Sequence, residues 1–308
     1  TLGFGMKRFG YVETPRQLEE AVSSTAFPSA TGQLIATKVI EGYSAPGYIG
    51  DELVTVMPSN LRGERVVGFT HLQGPKEVGE GTAYEDSTFE EKYVTTTEAK
   101  KGRILSITEE AVYFDQTGQM LMRAENLGEV TRAERERVIV RGVADVISTE
   151  RVYRPLGTSE KLYAAGNNNL LSTDTPLVDW TDIQEVFQYH ALNVRDDREV
   201  DDALGTQPII WVPKILLTAV ELAGTAARIV SATQVGTPPG ATATAAMLTA
   251  NPLNTFVAGG VRALASPYLD AAEGADQWDD ASDWLLGDFK KQFIWKEIWP
   301  LQVLRAPQ

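Results

Sequence analysis

Residues 119–148 read QMLMRAENLGEVTRAERERVIVRGVADVIS, the longest periodic stretch in the chain. Apolar residues recur there at Leu121, Ala124, Leu127, Val130, Ala133, Val138, Val143, Val146 and Ile147, close to the helical period, with Arg and Glu filling the run from Arg132 to Arg141. The spacing predicts one helix from Gln119 to Ser148, well beyond the mean of about 11 or 12 residues for a globular helix. Leu127 and Val138 lie eleven residues apart, near three full turns, so both are expected on one buried face. A helix this long is a spine against which other elements can be laid.

Immediately upstream, Ser106-Ile107-Thr108-Glu109 has the spacing of a capping box, opening a short helix to Phe114 that Asp115-Gln116-Thr117-Gly118 brings to an end. Before it, from Glu64 to Thr108, the sequence alternates in the β manner, with Val66 to Leu72 on one side and Tyr93 to Thr97 on the other. Between them lie Gly74 to Gly81, Glu85-Asp86 and Glu90-Glu91. This is a long hairpin whose tip is too polar and glycine-rich to bury itself. A lone two-stranded hairpin is marginal in water, so it is expected to lie on a neighbouring surface. Further upstream, Thr14-Pro15 starts a helix to about Ser23, a second helix is expected from Ala30 to Tyr43, and a Gly- and Pro-punctuated run leads to Asn60. These residues hold no evident core of their own and read as an arm.

Downstream of the spine, Thr181 to Leu192 reads as a capped helix, Gln207 to Val212 as a buried strand and Lys214 to Gly224 as a helix. Strands are expected around Thr255 to Leu264 and Phe293 to Leu304, the latter with alternating apolar and charged residues. The Ala- and Thr-rich stretch from Ser231 to Ala250, centred on Gly236-Thr237-Pro238-Pro239-Gly240, reads as a loop. The mixture of elements predicts an α+β fold.

Composition excludes several chemistries. The chain has no cysteine, which removes disulfides, thiolate nucleophiles and cysteine-based zinc sites. Its net charge is −14, opposite to the basic footprint of a protein that grips phosphate backbones. No apolar run reaches the roughly 18 residues of a membrane span. The only histidines, His71 and His190, are far apart in sequence. There is no Gly-x-Ser-x-Gly elbow and no Gly-Lys-Ser/Thr phosphate loop, and Gly79-x-Gly81 lacks the third glycine of a dinucleotide loop. The acidic clusters Asp196-Asp197 with Asp201-Asp202, and Asp276, Asp279, Asp280 and Asp283, do not have EF-hand spacing and read as solvated loops. Glu109-Glu110 opens a helix, where acids suit the dipole without any catalytic role. No catalytic residue, cofactor site or metal site is assigned.

The order of elements, an arm, a projecting hairpin, a capped turn into a spine helix, a compact α/β part and a closing strand, resembles the fold of tailed-bacteriophage major capsid proteins, shared with encapsulins. Leu105 to Val112 with Phe114-Asp115 and Leu127-Gly128-Glu129 resembles the major head subunits of Mu-like phages. Ser266-Pro267-Tyr268-Leu269 and Trp284-Leu285-Leu286-Gly287-Asp288 resemble that family's late strand pair, and Thr206 to Pro213 fits the strand before the axial helix. The resemblance implies an N-terminal arm over residues 1–60, an extended hairpin (E-loop) over 61–105, a peripheral domain with the spine helix over 106–178, an axial domain over 179–283 and closing strands over 284–308. It implies a major capsid protein forming hexamers and pentamers of an icosahedral shell around double-stranded DNA, a virion component assembled in the host cytoplasm, with portal, scaffold or decoration proteins as partners and no membrane. Removal of an N-terminal scaffolding segment, common in the family, would account for Thr1. The hairpin charges Lys76, Glu77, Glu80, Glu85, Glu90, Glu91, Lys92, Lys100 and Lys101 are the candidate intersubunit contacts, with plain solubility as the alternative. An encapsulin-type compartment is the rival within the fold, and a carboxylate-dependent hydrolase the rival outside it.

Overall fold

The computed structural model describes residues 27–59, 65–69, 78–84, 86, 91–95, 100–105, 118–145, 162–163, 169–171, 176–196, 207–209, 212–235, 249–251, 253, 260–269, 283–298 and 301–303. In chain order the helices are α1 (Phe27–Tyr43), α2 (Gly50–Leu53), α3 (Gln119–Val143), α4 (Trp180–Asn193), α5 (Ala223–Ser231) and α6 (Phe289–Gln292). The strands are β1 (Thr55–Pro58), β2 (Arg65–Phe69), β3 (Glu91–Thr95), β4 (Arg195–Asp196), β5 (Gln207–Pro208), β6 (Ile215–Ala219), β7 (Gln234–Val235), β8 (Thr249–Ala250), β9 (Arg262–Ser266), β10 (Trp284–Gly287) and β11 (Ile294–Glu297). Helix and strand are mixed as expected of an α+β chain. The expected helices at 14–23 and 106–114 lie outside the described residues. The described residues divide into two compact units, the first within 1–48, 100–136 and 299–308, the second within 49–99 and 137–298.

In the first unit α1 meets α3 at two glycines. A Cβ added to Gly42 would run into the Glu125 carbonyl, and one added to Gly128 would run into the Val39 carbonyl. The two backbones therefore touch with no side chain between them. This contact sets which face is buried in the first-unit part of α3, and the expected stripe is corrected. The buried positions of α3 are Ala124, Gly128, Glu136, Ile139, Val140 and Val143, whereas Leu127 and Val138 are half-buried and Val130 is 51% exposed. Around Ala124 and Gly128 the contact is made by residues with little or no side chain, so the neighbouring bulky apolar residues do not mark it, and further along α3 the buried side chains are Ile139, Val140 and Val143.

The spine helix also ends at Val143, not at Ser148. Asp145 takes a left-handed φ of 52°, which few residues tolerate and which breaks helical continuation. Its Oδ2 accepts a hydrogen bond from the Leu162 amide at 3.0 Å, and the Tyr163 hydroxyl donates to the Val143 carbonyl at 2.7 Å, one of the acceptors that a helix end leaves unpaired.

The second unit is built on a three-stranded sheet in the order β10-β6-β9, with β9 parallel and β10 antiparallel to the central β6. All five residues of β6, Ile215-Leu216-Leu217-Thr218-Ala219, are buried. Alternate side chains serve opposite faces, as a strand requires. Ile215, Leu217 and Ala219 pack with Leu53, Ile139, Val140, Val143, Leu269 and Phe289. Leu216 packs with Leu177, Ile183, Ala226, Ile229, Leu253 and Val261.

Three sequence expectations are corrected here. The helix expected from Lys214 is this strand, and the helix α5 begins only at Ala223. A short, continuous apolar run has no period to separate the two states. Of the buried strand expected from Gln207 to Val212, Gln207–Pro208 pairs with β4, Ile209 and Val212 are exposed at 42% and 40%, and residues 210–211 lie outside the described residues. The late strand pair is no pair: β9 and β10 flank β6 on either side.

The helix α4 matches its expected span, opened by a capping box in which Asp179 and Asp182 each satisfy the other's backbone. The Ser231 to Ala250 stretch is closed at its base by β7 and β8, with residues 236–248 outside the described set. Buried Asn251 donates to the Ile229 and Ala232 carbonyls at 3.0 and 2.9 Å and accepts from the Leu253 amide at 3.0 Å, sealing the end of α5. The closing strand is Ile294–Glu297, lying parallel to β1 with Thr55 opposite Ile294. Thr55 Oγ1 donates to the Lys290 carbonyl at 2.6 Å, and Arg262 forms an ion pair with Glu52. Leu53 and Val54 are thereby buried in this unit's core.

Candidate functional site

The hairpin forms as the alternation predicts. β2 and β3 are antiparallel in the register Arg65 to Thr95, Val66 to Val94, Val67 to Tyr93, Gly68 to Lys92 and Phe69 to Glu91. A directly paired Phe69 and Glu91 needs only two residues to connect them. The chain instead inserts residues 70–90. Within that excursion Gly79-Glu80-Gly81-Thr82 is a turn closed by the Thr82 amide on the Gly79 carbonyl at 3.1 Å, with Gly81 at φ 85°. A positive φ at the third turn position is the type II requirement that glycine meets without strain.

The nine charged candidates divide by position. Glu80 lies in this turn and is exposed, and Lys100 is exposed in the segment that follows the hairpin. Lys101, in that same segment, forms an ion pair with Glu134 of α3 at 2.7 Å within its own chain. Glu91 and Lys92 sit on β3 opposite Phe69 and Gly68. Lys76, Glu77, Glu85 and Glu90 lie outside the described residues. Sequence reasoning fixed on charge and passed over two apolar side chains: Tyr84, 87% exposed beside the turn, and Ile104, 94% exposed beyond the hairpin. The signal was available, since an aromatic residue in a polar, glycine-rich turn has nothing nearby to bury it.

Elsewhere the charged groups brace the fold. Asp288, buried after β10, faces Lys214 Nζ at 2.9 Å and Lys291 Nζ at 3.4 Å. Burial alone would push its carboxyl up, but the two ammonium groups overcome this and hold it below its ordinary 3.8. His190, near the end of α4, is held below its ordinary 6.5 by burial. Among the described residues no three His, Asp or Glu side chains are grouped to hold a metal, and no helix is long and apolar enough to cross a membrane. His71 and most of both acidic clusters lie outside the described residues.

Among the described residues the hairpin region thus shows two paired strands and, within the chain between them, an exposed turn at Gly79–Thr82. Over residues 91–307 the sequence matches the family model for phage capsid proteins, and the chain belongs to that family. The match begins at the first residue of β3 and so takes in α3, both faces of the β6 sheet and the closing strand. No curated protein and no solved structure gives a significant match. The chain is thus a bacteriophage structural protein of the capsid.

Proposed function

We propose that this capsid protein is the major head-shell subunit of a tailed bacteriophage, assembling through hexamers and pentamers into an icosahedral shell that encloses double-stranded DNA. The observation that carries the reading is the excursion of residues 70–90 from a strand pair that two residues would close. A turn held open in this way, with Tyr84 exposed beside it, is a contact element in want of a second surface, and a shell supplies that surface as another copy of the chain. The hairpin charges Glu80, Glu91, Lys92 and Lys100 then pair across copies, together with Lys76, Glu77, Glu85 and Glu90. Portal, scaffold and decoration proteins are the further partners, and the virion is its place after assembly in the host cytoplasm.

The genome is retained by closure. A net charge of −14 opposes the counterion release on which tight phosphate binding depends. Replacing residues 70–90 by Asn-Gly tests the contact role while keeping β2 and β3 in register. The variant is expected to fold with unchanged circular dichroism and to form no closed particles. Normal particles from it would contradict the proposal.

A further inference from the structure

We propose that Arg132 and the two tyrosines Tyr43 and Tyr48 form a clamp that holds the connector between α1 and α2 on the spine helix, and that assembly into uniform shells needs the clamp closed. The second half rests on the shell reading above.

The connector is Ser44-Ala45-Pro46-Gly47-Tyr48. It leaves α1 through the Ser44 and Ala45 amides, which donate to the Ile40 and Gly42 carbonyls at 3.0 and 3.2 Å, and it turns at Gly47, whose φ of 106° suits only glycine. Tyr43 and Tyr48 bracket it. The Arg132 guanidinium carbon lies 5.5 Å from the Tyr43 ring centroid and 5.3 Å from that of Tyr48, both within the roughly 6 Å reach of a cation over an aromatic face. The Tyr48 hydroxyl is 3.5 Å from the Glu129 carbonyl, at the outer limit of a hydrogen bond, so the ring matters more than the hydroxyl.

The clamp is also aligned by the backbone contact. Gly128 meets Val39 and Tyr43 one turn of α3 before Arg132, so the glycine contact delivers the end of α1 to the arginine. Tyr48 is the last residue of the first unit before the chain enters the second at Ile49, and α3 makes its own passage between Glu136 and Arg137, one turn past Arg132. One guanidinium thus holds the two tyrosines that flank the connector. Apart from the clamp, the connector is held by the amide bonds at the end of α1 and by the long Tyr48–Glu129 contact, and a Cβ on Gly47 would meet open space.

Chymotrypsin, which cuts after aromatic residues, reads the clamp directly on unassembled subunits. Tyr84, exposed and remote in sequence, serves as the internal reference. In Arg132→Ala, cleavage after Tyr43 and Tyr48 should be about tenfold faster relative to Tyr84, in Arg132→Lys intermediate, and in Tyr48→Phe close to the parent chain, because local opening sets the rate. Electron microscopy of the same proteins should give uniform particles for the parent and Tyr48→Phe, and irregular or open ones for Arg132→Ala. Unchanged relative cleavage in both arginine variants would overturn the clamp. Faster cleavage with particles as uniform as the parent's would overturn its role in assembly. A parent chain that forms no particles would instead overturn the shell reading, with the clamp still decided by the cleavage rates.

Discussion

Gly128 stands in the middle of α3, where glycine ordinarily weakens a helix by about 1 kcal/mol relative to alanine. Propensity alone therefore says that Gly128→Ala should stabilise. The contact with the Val39 carbonyl says the opposite, since a methyl group there forces two backbones apart at a cost of about 1 to 3 kcal/mol. The second effect is the larger, so net destabilisation is expected in chemical denaturation of unassembled subunits. A stabilised variant would mean that α1 and α3 do not touch. Burial along α3 sets the costly truncations: Ile139→Ala should lose about 2 to 4 kcal/mol, while Val130→Ala should change little. The sequence displayed these glycines openly, but a search for bulky apolar residues scores a glycine as a gap, so the helix was legible and its contact face was not.

Titration belongs to this scale too. Asp288 binds its proton less readily folded than unfolded, so its stabilisation is complete above pH 3.8 and is lost as pH falls through its lower folded value. His190 also resists protonation when folded, so stability should decline as pH drops below 6.5, because the unfolded chain takes up that proton first. His190→Gln should flatten the stability profile in mildly acid solution and Asp288→Asn should flatten it in strong acid, as followed by denaturation midpoints against pH. Profiles unchanged by both substitutions would show that neither group is coupled to folding.

At the scale of elements, β6 is the one that sequence reasoning misread and the one on which the second unit depends. Five apolar or small residues in a row after Pro213-Lys214 fit either a buried helix or a strand covered on both faces, and only the sheet partners decide. Thr218 offers a sharp test. It is fully buried and its Oγ1 has no hydrogen-bond partner among the described residues, so it carries a penalty that a surface residue of an amphipathic helix would not. Thr218→Val should stabilise the chain by about 1 kcal/mol, measured by urea denaturation. Destabilisation would show that the hydroxyl has a partner. By contrast α4 and the hairpin strands were legible, because each shows a clean period together with boundary chemistry, Asp179 and Asp182 at one and glycine at the other. The charged candidates were legible as charges only, since pairing such as Lys101 with Glu134 joins residues with no periodic relation.

For the whole molecule, the resemblance rested on the order of elements and on no single motif, and the capped turn in that order lies outside the described residues. With no cysteine the chain has no disulfide, and the family match over residues 91–307 makes it a capsid protein. The central claim is that copies of this chain close into a shell. It is tested most directly by negative-stain electron microscopy of the purified, concentrated protein. The account predicts closed particles of uniform diameter, lost when residues 70–90 are replaced by Asn-Gly. A parent chain that remains monomeric, with no particles at any concentration, would contradict it.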